Sequence, residues 1–249
     1  MNRRTFLKAV PATLLTAQAF GLAMGADDST IGAGSGGGRQ ADGAAGDLQP
    51  IALPKPESEG GKSVLAALKE RRTIRSIKED RLPLQVLSNL LWAAFGVNRE
   101  KQGPFGQLGR TAASASNSQE IDLYVALSEG VYLYDAPAHR LTPVVAGDLR
   151  AKAGNRGRGA NAPVRIIFVA DIARFARAGF QEPGLKDPEV QKSYYNVATG
   201  LIAGNVYLFA ASQGLAAWFH NCDKPGLTEA LHLRPEQRVL YAQTVGYAV

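Results

Sequence analysis

From residue 62 onward the apolar positions keep two rhythms, one near 3.6 residues and one of two, broken by glycine, proline and Asn/Asp clusters. Ser63 is a suitable N-cap, and Val64, Leu65 and Leu68 after it share one face, so VLAALKERR is predicted as a helix. A second helix is predicted from Pro83 to Phe95, with Leu84, Leu87, Leu91 and Phe95 in a stripe and Gly96 as its stop. The third is long. Asp187-Pro188 opens it, Val190, Tyr194, Val197, Leu201, Asn205 and Leu208 recur at steps of three and four, and Gly214 ends it. Gly200 and Gly204 lie one turn apart inside it. Each costs up to ~1 kcal/mol relative to alanine, so a close approach by another backbone or a ligand is expected there. A short fourth helix is expected over Pro225–His232.

The period of two appears between these helices. IDLYVAL (121–127) and VYLYD (131–135) flank Ser-Glu-Gly and predict a hairpin. VRIIFVAD (164–171) is apolar at nearly every position and suits a central strand covered on both faces. LAAWFH (215–220) and VLYAQTVGYA (239–248) complete the strands. Hairpin strands among helices predict an α+β sandwich, not a βαβ repeat.

The first sixty residues break both rhythms. Residues 1–25 carry Arg3, Arg4 and Lys8, then a modest apolar stretch from Val10 to Met24, which is a signal-peptide pattern too short for a stable membrane span. RRTFLK resembles the twin-arginine export signal, implying a periplasmic protein exported already folded. A protein that takes up a tightly bound cofactor in the cytoplasm has reason to use that route. Residues 26–61, rich in Gly, Ala, Ser and Pro, are expected to form a flexible tether before a folded domain at 62–249.

Composition narrows the chemistry by exclusion. The formal charge of +6 falls to about +3 once Arg3, Arg4 and Lys8 are set aside, too little to argue for a nucleic-acid partner. Cys222 is the only cysteine, so no internal disulfide forms. His139, His220 and His232 have no metal-ligand spacing, and no metal is expected.

One charged stretch stands apart. In ERRTIRSI (70–77) three arginines fall within five positions, offering forked, permanently charged donors suited to a phosphate dianion. If the helical turn persists, Arg71 and Arg75 lie on one side of it. The rest of the chain adds ASASNSQ (113–119) leading into a strand, a long helix ending in QGLAA, and a terminal strand with TVGY. In this order the four pieces resemble the nitroreductase family of FMN-dependent oxidoreductases, over roughly Lys62 to Tyr247. Within it, GVYLYDAPAHRLTPVVAGDLR and LLWAAFGVNR look closest to the thiazoline and oxazoline peptide oxidase branch.

The resemblance implies a nitroreductase-like α/β/α sandwich with a central, mostly antiparallel sheet and a long central helix. It implies a homodimer with FMN at the subunit interface. Carried over, Arg71, Thr73 and Arg75 hold the cofactor, with Arg72 near the isoalloxazine edge. Ser114, Asn117 and Gln119 fall on the family's Pro-Ser-x-x-Asn-x-Gln positions, with Ala113 replacing the proline, and would serve the flavin of the partner subunit. Trp218, Phe219 and His220 pass the ring, and an amide there is expected to face N5.

Two departures matter. Many relatives continue beyond the final Gly-Tyr into an arm that adds a cation to the phosphate, whereas here Ala248-Val249 follow, leaving that task to ERRTIRSI or to Arg156 or Arg158. The peptide oxidases use a Lys-Tyr pair, whereas here Ser193 separates Lys192 from Tyr194. The reading is a two-electron oxidoreductase working through flavin N5 on a small organic substrate, nitroaromatic, quinone-like or heterocyclic. A non-catalytic flavin-binding protein and a peptide-heterocycle oxidase are the alternatives. No side chain declares itself as a catalytic acid or base, and the electron donor is unspecified. The loops Glu100–Gly109 and Ala173–Lys186 are the expected pocket walls.

Overall fold

The computed structural model describes residues 46–99, 108–154 and 161–249. The leader at 1–25, Arg156 and Arg158, and most of the 100–109 loop lie outside the described residues.

In chain order the elements are β1 (Ile51–Ala52), α1 (Val64–Glu70), α2 (Leu84–Phe95), β2 (Val97–Arg99), β3 (Gly109–Arg110), β4 (Ile121–Ala126), β5 (Gly130–Asp135), β6 (Arg140–Ala146), β7 (Val164–Asp171), α3 (Pro188–Ser212), β8 (Leu215–His220), α4 (Lys224–Ala230) and β9 (Gln237–Tyr247). Seven strands form one sheet in the order β1-β6-β5-β4-β7-β9-β8, and every pairing in it is antiparallel. The expected α+β architecture is present, with its main sheet antiparallel throughout the described residues. β2 and β3 form a separate ribbon.

Alternation along the strands sorts side chains to two cores. On β7, Val164, Ile166, Phe168 and Ala170 face a large core shared with α2 and α3, where Leu90, Leu91, Ile202 and Val206 are fully covered. Ile167 and Val169 face a smaller core closed by Leu227 and Leu231 around α4. A bulge between Phe168 and Val169 resets the register against β9, so Val239 still reaches the second core.

The helix signals act locally as expected. The Ser63 side chain accepts the Ala66 N–H, and the Asp187 carboxylate accepts the N–H groups of Glu189 and Val190. Gly214 closes α3 with φ +70°, a left-handed conformation that a side chain would strain. The stripe on α1 does not face this chain's core, because Val64 and Leu65 are 67% and 78% exposed. A Cβ built at Gly200 or Gly204 meets nothing within 4 Å, so neither glycine admits a neighbour from the same chain.

Two expectations are corrected. The helix does not carry Arg71–Arg75. It ends at Glu70, and Arg71 turns to φ −54°, ψ 122°, so the arginines are spaced by irregular, extended backbone. The tether does not extend to Gly61. β1 pairs with β6, Leu53 is buried, and the Pro54 carbonyl accepts the Ser88 hydroxyl. A short apolar patch, Ile51 and Leu53, suffices to hold a Pro-rich segment to a sheet edge.

Candidate functional site

Segment 71–78 meets the outer edge of β8 at Ile74 and pairs with residues 247–249, at the end of β9, through residues 76–78. The Ile74 N–H donates to the Ala217 carbonyl at 3.0 Å, and Ile77 bridges to Ala248. In an antiparallel edge strand, alternate residues point both main-chain groups toward the neighbour or away from it. Ala217 and Phe219 therefore face the free edge, and Trp218 and His220 face β9. Of the three expected amides, only Phe219's is on the open side. It donates to the Tyr207 hydroxyl at 2.8 Å.

Tyr207, on α3, joins the two segments. Its hydroxyl also lies 3.1 Å from Thr73 Oγ1, and the Arg71 guanidinium sits 5.4 Å from its ring centroid. Arg75 reaches the other face of β8, 5.7 Å from the centre of the Trp218 indole. Beside these groups is a cavity of about 570 Å³ lined by Lys69, Arg71, Arg72, Ile74, Gly214 and Ala248. Glu70 shares the rim and is paired with Lys62. Among the described residues no carboxylate pairs with Arg71, Arg72 or Arg75. Three exposed arginines on one short segment, unpaired with any carboxylate among the described residues, suit an anionic ligand.

His220 turns inward. Its Nδ1 donates to the Asn221 carbonyl, and its Nε2 accepts from the Thr244 hydroxyl at 2.8 Å. Burial holds its pKa below the ordinary histidine value, and nearby Arg165 lowers it further, so the ring is neutral with both nitrogens engaged. The Trp218 side chain is 4.5 Å away between centroids and also buried.

Ser114, Asn117 and Gln119 come together in a separate turn. Ser114 Oγ accepts the Gln119 N–H, and Gln119 Nε2 donates to Asn117 Oδ1 and to the Leu108 carbonyl. Ser116, Asn117 and Gln119 all have φ near +50°, a strained arrangement for side-chain-bearing residues. Segment 172–186 buttresses this turn. Arg174 donates to the Gln119 carbonyl, and Ser116 donates to Glu182. The buried Glu120 anchors it below by accepting from Ser118 at 2.6 Å, and burial raises that carboxyl's pKa. Among the described residues, the hydrogen bonds and ring contacts of Ser114–Gln119 share no partner with those of Arg71–Arg75.

The comparisons with known proteins fit this geometry. The nitroreductase family model matches residues 68–247, from the last turn of α1 through β9. The chain belongs to the nitroreductase family. A protein of Methanocaldococcus jannaschii, provisionally named a nitroreductase, is 30% identical over 68% of this chain and 82% of its own length. A crystal structure from Ralstonia eutropha, with the same provisional name, superposes with a TM-score of 0.71 at 34% identity, over 81% of this chain and 90% of that one. The Escherichia coli microcin synthetase McbBCD complex shares the fold at TM-score 0.59 and 16% identity, over 82% of this chain and 79% of that one. Nitroreductase family proteins are flavin-dependent oxidoreductases that generally use FMN and commonly form homodimers.

Sequence reasoning missed Tyr207, Arg174 and Glu182. Tyr207 lies off the stripe that marked the third helix, and a lone tyrosine in VYLFAAS was its only signal.

Proposed function

We propose that this chain is an exported FMN-dependent oxidoreductase, active as a homodimer, that passes two electrons to or from a small organic substrate. The observation carrying this reading is the run of Arg71, Arg72 and Arg75, unpaired with any carboxylate among the described residues, with Arg71 and Thr73 joined through Tyr207 to the open side of β8. The residues present fit the cofactor: guanidiniums for its phosphate, Thr73 and the β8 edge for its polar body. FMN, when bound, supplies hydride exchange at N5. The protein's part is to hold and orient it, with Tyr207 fixing the distance between Thr73 and Phe219.

The turn at Ser114–Gln119 shares no partner with that cluster, which suits service to the flavin of a second copy. The exposed apolar residues of α1 and α3, together with the open faces of Gly200 and Gly204, suit a second copy packing there. In the periplasm NAD(P)H is scarce, so the electron source is a quinol, a redox partner or the substrate itself; rapid flavin reduction by NAD(P)H would overturn that point. Localisation follows from the RRTFLK leader and is checked by fractionating cells.

The fold shared with the microcin synthetase McbBCD complex is the one hint toward the peptide-oxidase alternative, and the Lys-Tyr pair does not add to it. Lys192 pairs with Glu189, while Glu182 is the hydrogen-bond partner that raises the Tyr194 pKa, so the two residues are engaged separately.

The deciding experiment is the absorbance spectrum of the natively purified protein. Flavin bands that disappear in Arg71→Ala/Arg75→Ala support the reading. A colourless folded protein that takes up no added FMN overturns it.

A further inference from the structure

The sheet splits at one end. β4 begins at Ile121 and pairs with β7 along its whole length, and β5 stays paired with β6 as far as Asp135. Between β4 and β5, however, the ladder stops at Tyr124–Leu133. Beyond that point a cleft of about 450 Å³ opens, walled by Phe95, Ile121, Leu123, Leu133 and Tyr134.

The charges lining this cleft do not balance locally. Asp122 is bound by Arg174, and Asp135 by Arg140 at 3.2 Å. That leaves Arg110. Its Nε donates to Gln119 Oε1 at 2.7 Å and its Nη1 to the Phe95 carbonyl at 3.1 Å, both neutral acceptors, while the guanidinium lies 5.0 Å from the centre of the Phe95 ring. No ion pair is made by Arg110 among the described residues. Burial lowers its pKa, while the Asp122 and Asp135 carboxylates, each held by another arginine, act on it from a distance and raise it, so Arg110 is a partly desolvated cation with no carboxylate in direct contact. An anion entering the cleft would meet the fork of Arg110 while its body lay against Phe95, Leu123 and Leu133.

From these observations we infer that the β4–β5 cleft is a binding site for a small organic carboxylate with an aromatic or branched apolar body, held by Arg110. The site is separate from the Arg71–Arg75 cluster and does not depend on the flavin reading. It is linked to the Ser114–Gln119 turn by the Arg110–Gln119 hydrogen bond, so its occupancy bears on the most strained part of the backbone.

The test is calorimetric titration of the full chain with 3-phenylpropionate and with its neutral amide, each on protein with and without added FMN. The expected result is saturable binding of the carboxylate at one site per chain and at least about tenfold weaker binding of the amide. Arg110→Gln should weaken carboxylate binding by a similar factor. Since that variant also disturbs Gln119, Leu133→Trp provides a second check, filling the cleft while keeping Arg110, and should abolish binding with the fold intact by circular dichroism. Absence of saturable binding to the wild type, equal affinity for acid and amide, or unchanged binding in Leu133→Trp would overturn the inference. Loss of flavin with carboxylate binding retained would instead count only against the functional reading above.

Discussion

At the scale of single residues, the cofactor proposal turns on a hydroxyl that no motif contains. Tyr207 satisfies the one amide of 218–220 that faces the free edge of β8 and holds Thr73 at the same time. Tyr207→Phe deletes both bonds and leaves the ring beneath Arg71. The fold should survive, and FMN should bind about tenfold more weakly, as expected for one to two lost hydrogen bonds; fluorescence titration of the flavin reads this directly. The arginines, Thr73 and the Ser/Asn/Gln turn could be nominated from the sequence because their residue types and order match a family pattern. Tyr207 could not, since only the packing of α3 against β8 brings it to residues twelve and more than a hundred positions away. His220 illustrates the converse. It could be named as a candidate, yet its ring is buried and engaged by the Thr244 hydroxyl and the Asn221 carbonyl.

At the scale of elements, the segment before α1 is the clearest divergence between pattern and structure. Its glycines and prolines predict a tether, but from Gly46 onward the chain follows a course set by β1 and by a polar knot around His139. That ring receives the Tyr134 hydroxyl at Nδ1 and directs Nε2 toward Ser88 Oγ and the Pro54 carbonyl. Burial keeps its pKa below the ordinary value of 6.5. A histidine with a depressed folded pKa binds fewer protons when folded, so its stabilising share is complete above 6.5 and is lost as pH falls below that value. Amides around residues 51–55 should therefore exchange faster relative to the core as the pH is lowered from 7 toward 5 (about two units spanning the histidine range). His139→Gln should flatten that dependence; equal protection at both pH values in the wild type would refute the knot as an anchor.

At the scale of the molecule, the exposed apolar residues ask for a second copy. Val64, Leu65 and Leu68 on α1 and Val197 and Leu201 on α3 are roughly half to four-fifths open in the single chain, more than scattered surface leucines explain. Leu65→Glu with Leu201→Glu should convert a dimer to a monomer in sedimentation velocity and strip the FMN while leaving secondary structure unchanged. A double variant that remains dimeric, or a monomer that keeps its flavin, would remove the interface from the proposal. The sequence by itself determined the elements and their faces, because capping and periodicity act over a few residues and need no partner. It also determined the family, because the spaced Arg, Ser/Asn/Gln and Gly-Tyr segments survive as text. Only the tertiary structure decided which amide of β8 turns away from β9, that the arginines leave the helix, that the last part of the supposed tether is bound, and that β4 and β5 part around Arg110. Each of these depends on contacts between residues distant in sequence, where local propensity has no say and long-range packing and hydrogen bonding settle the outcome.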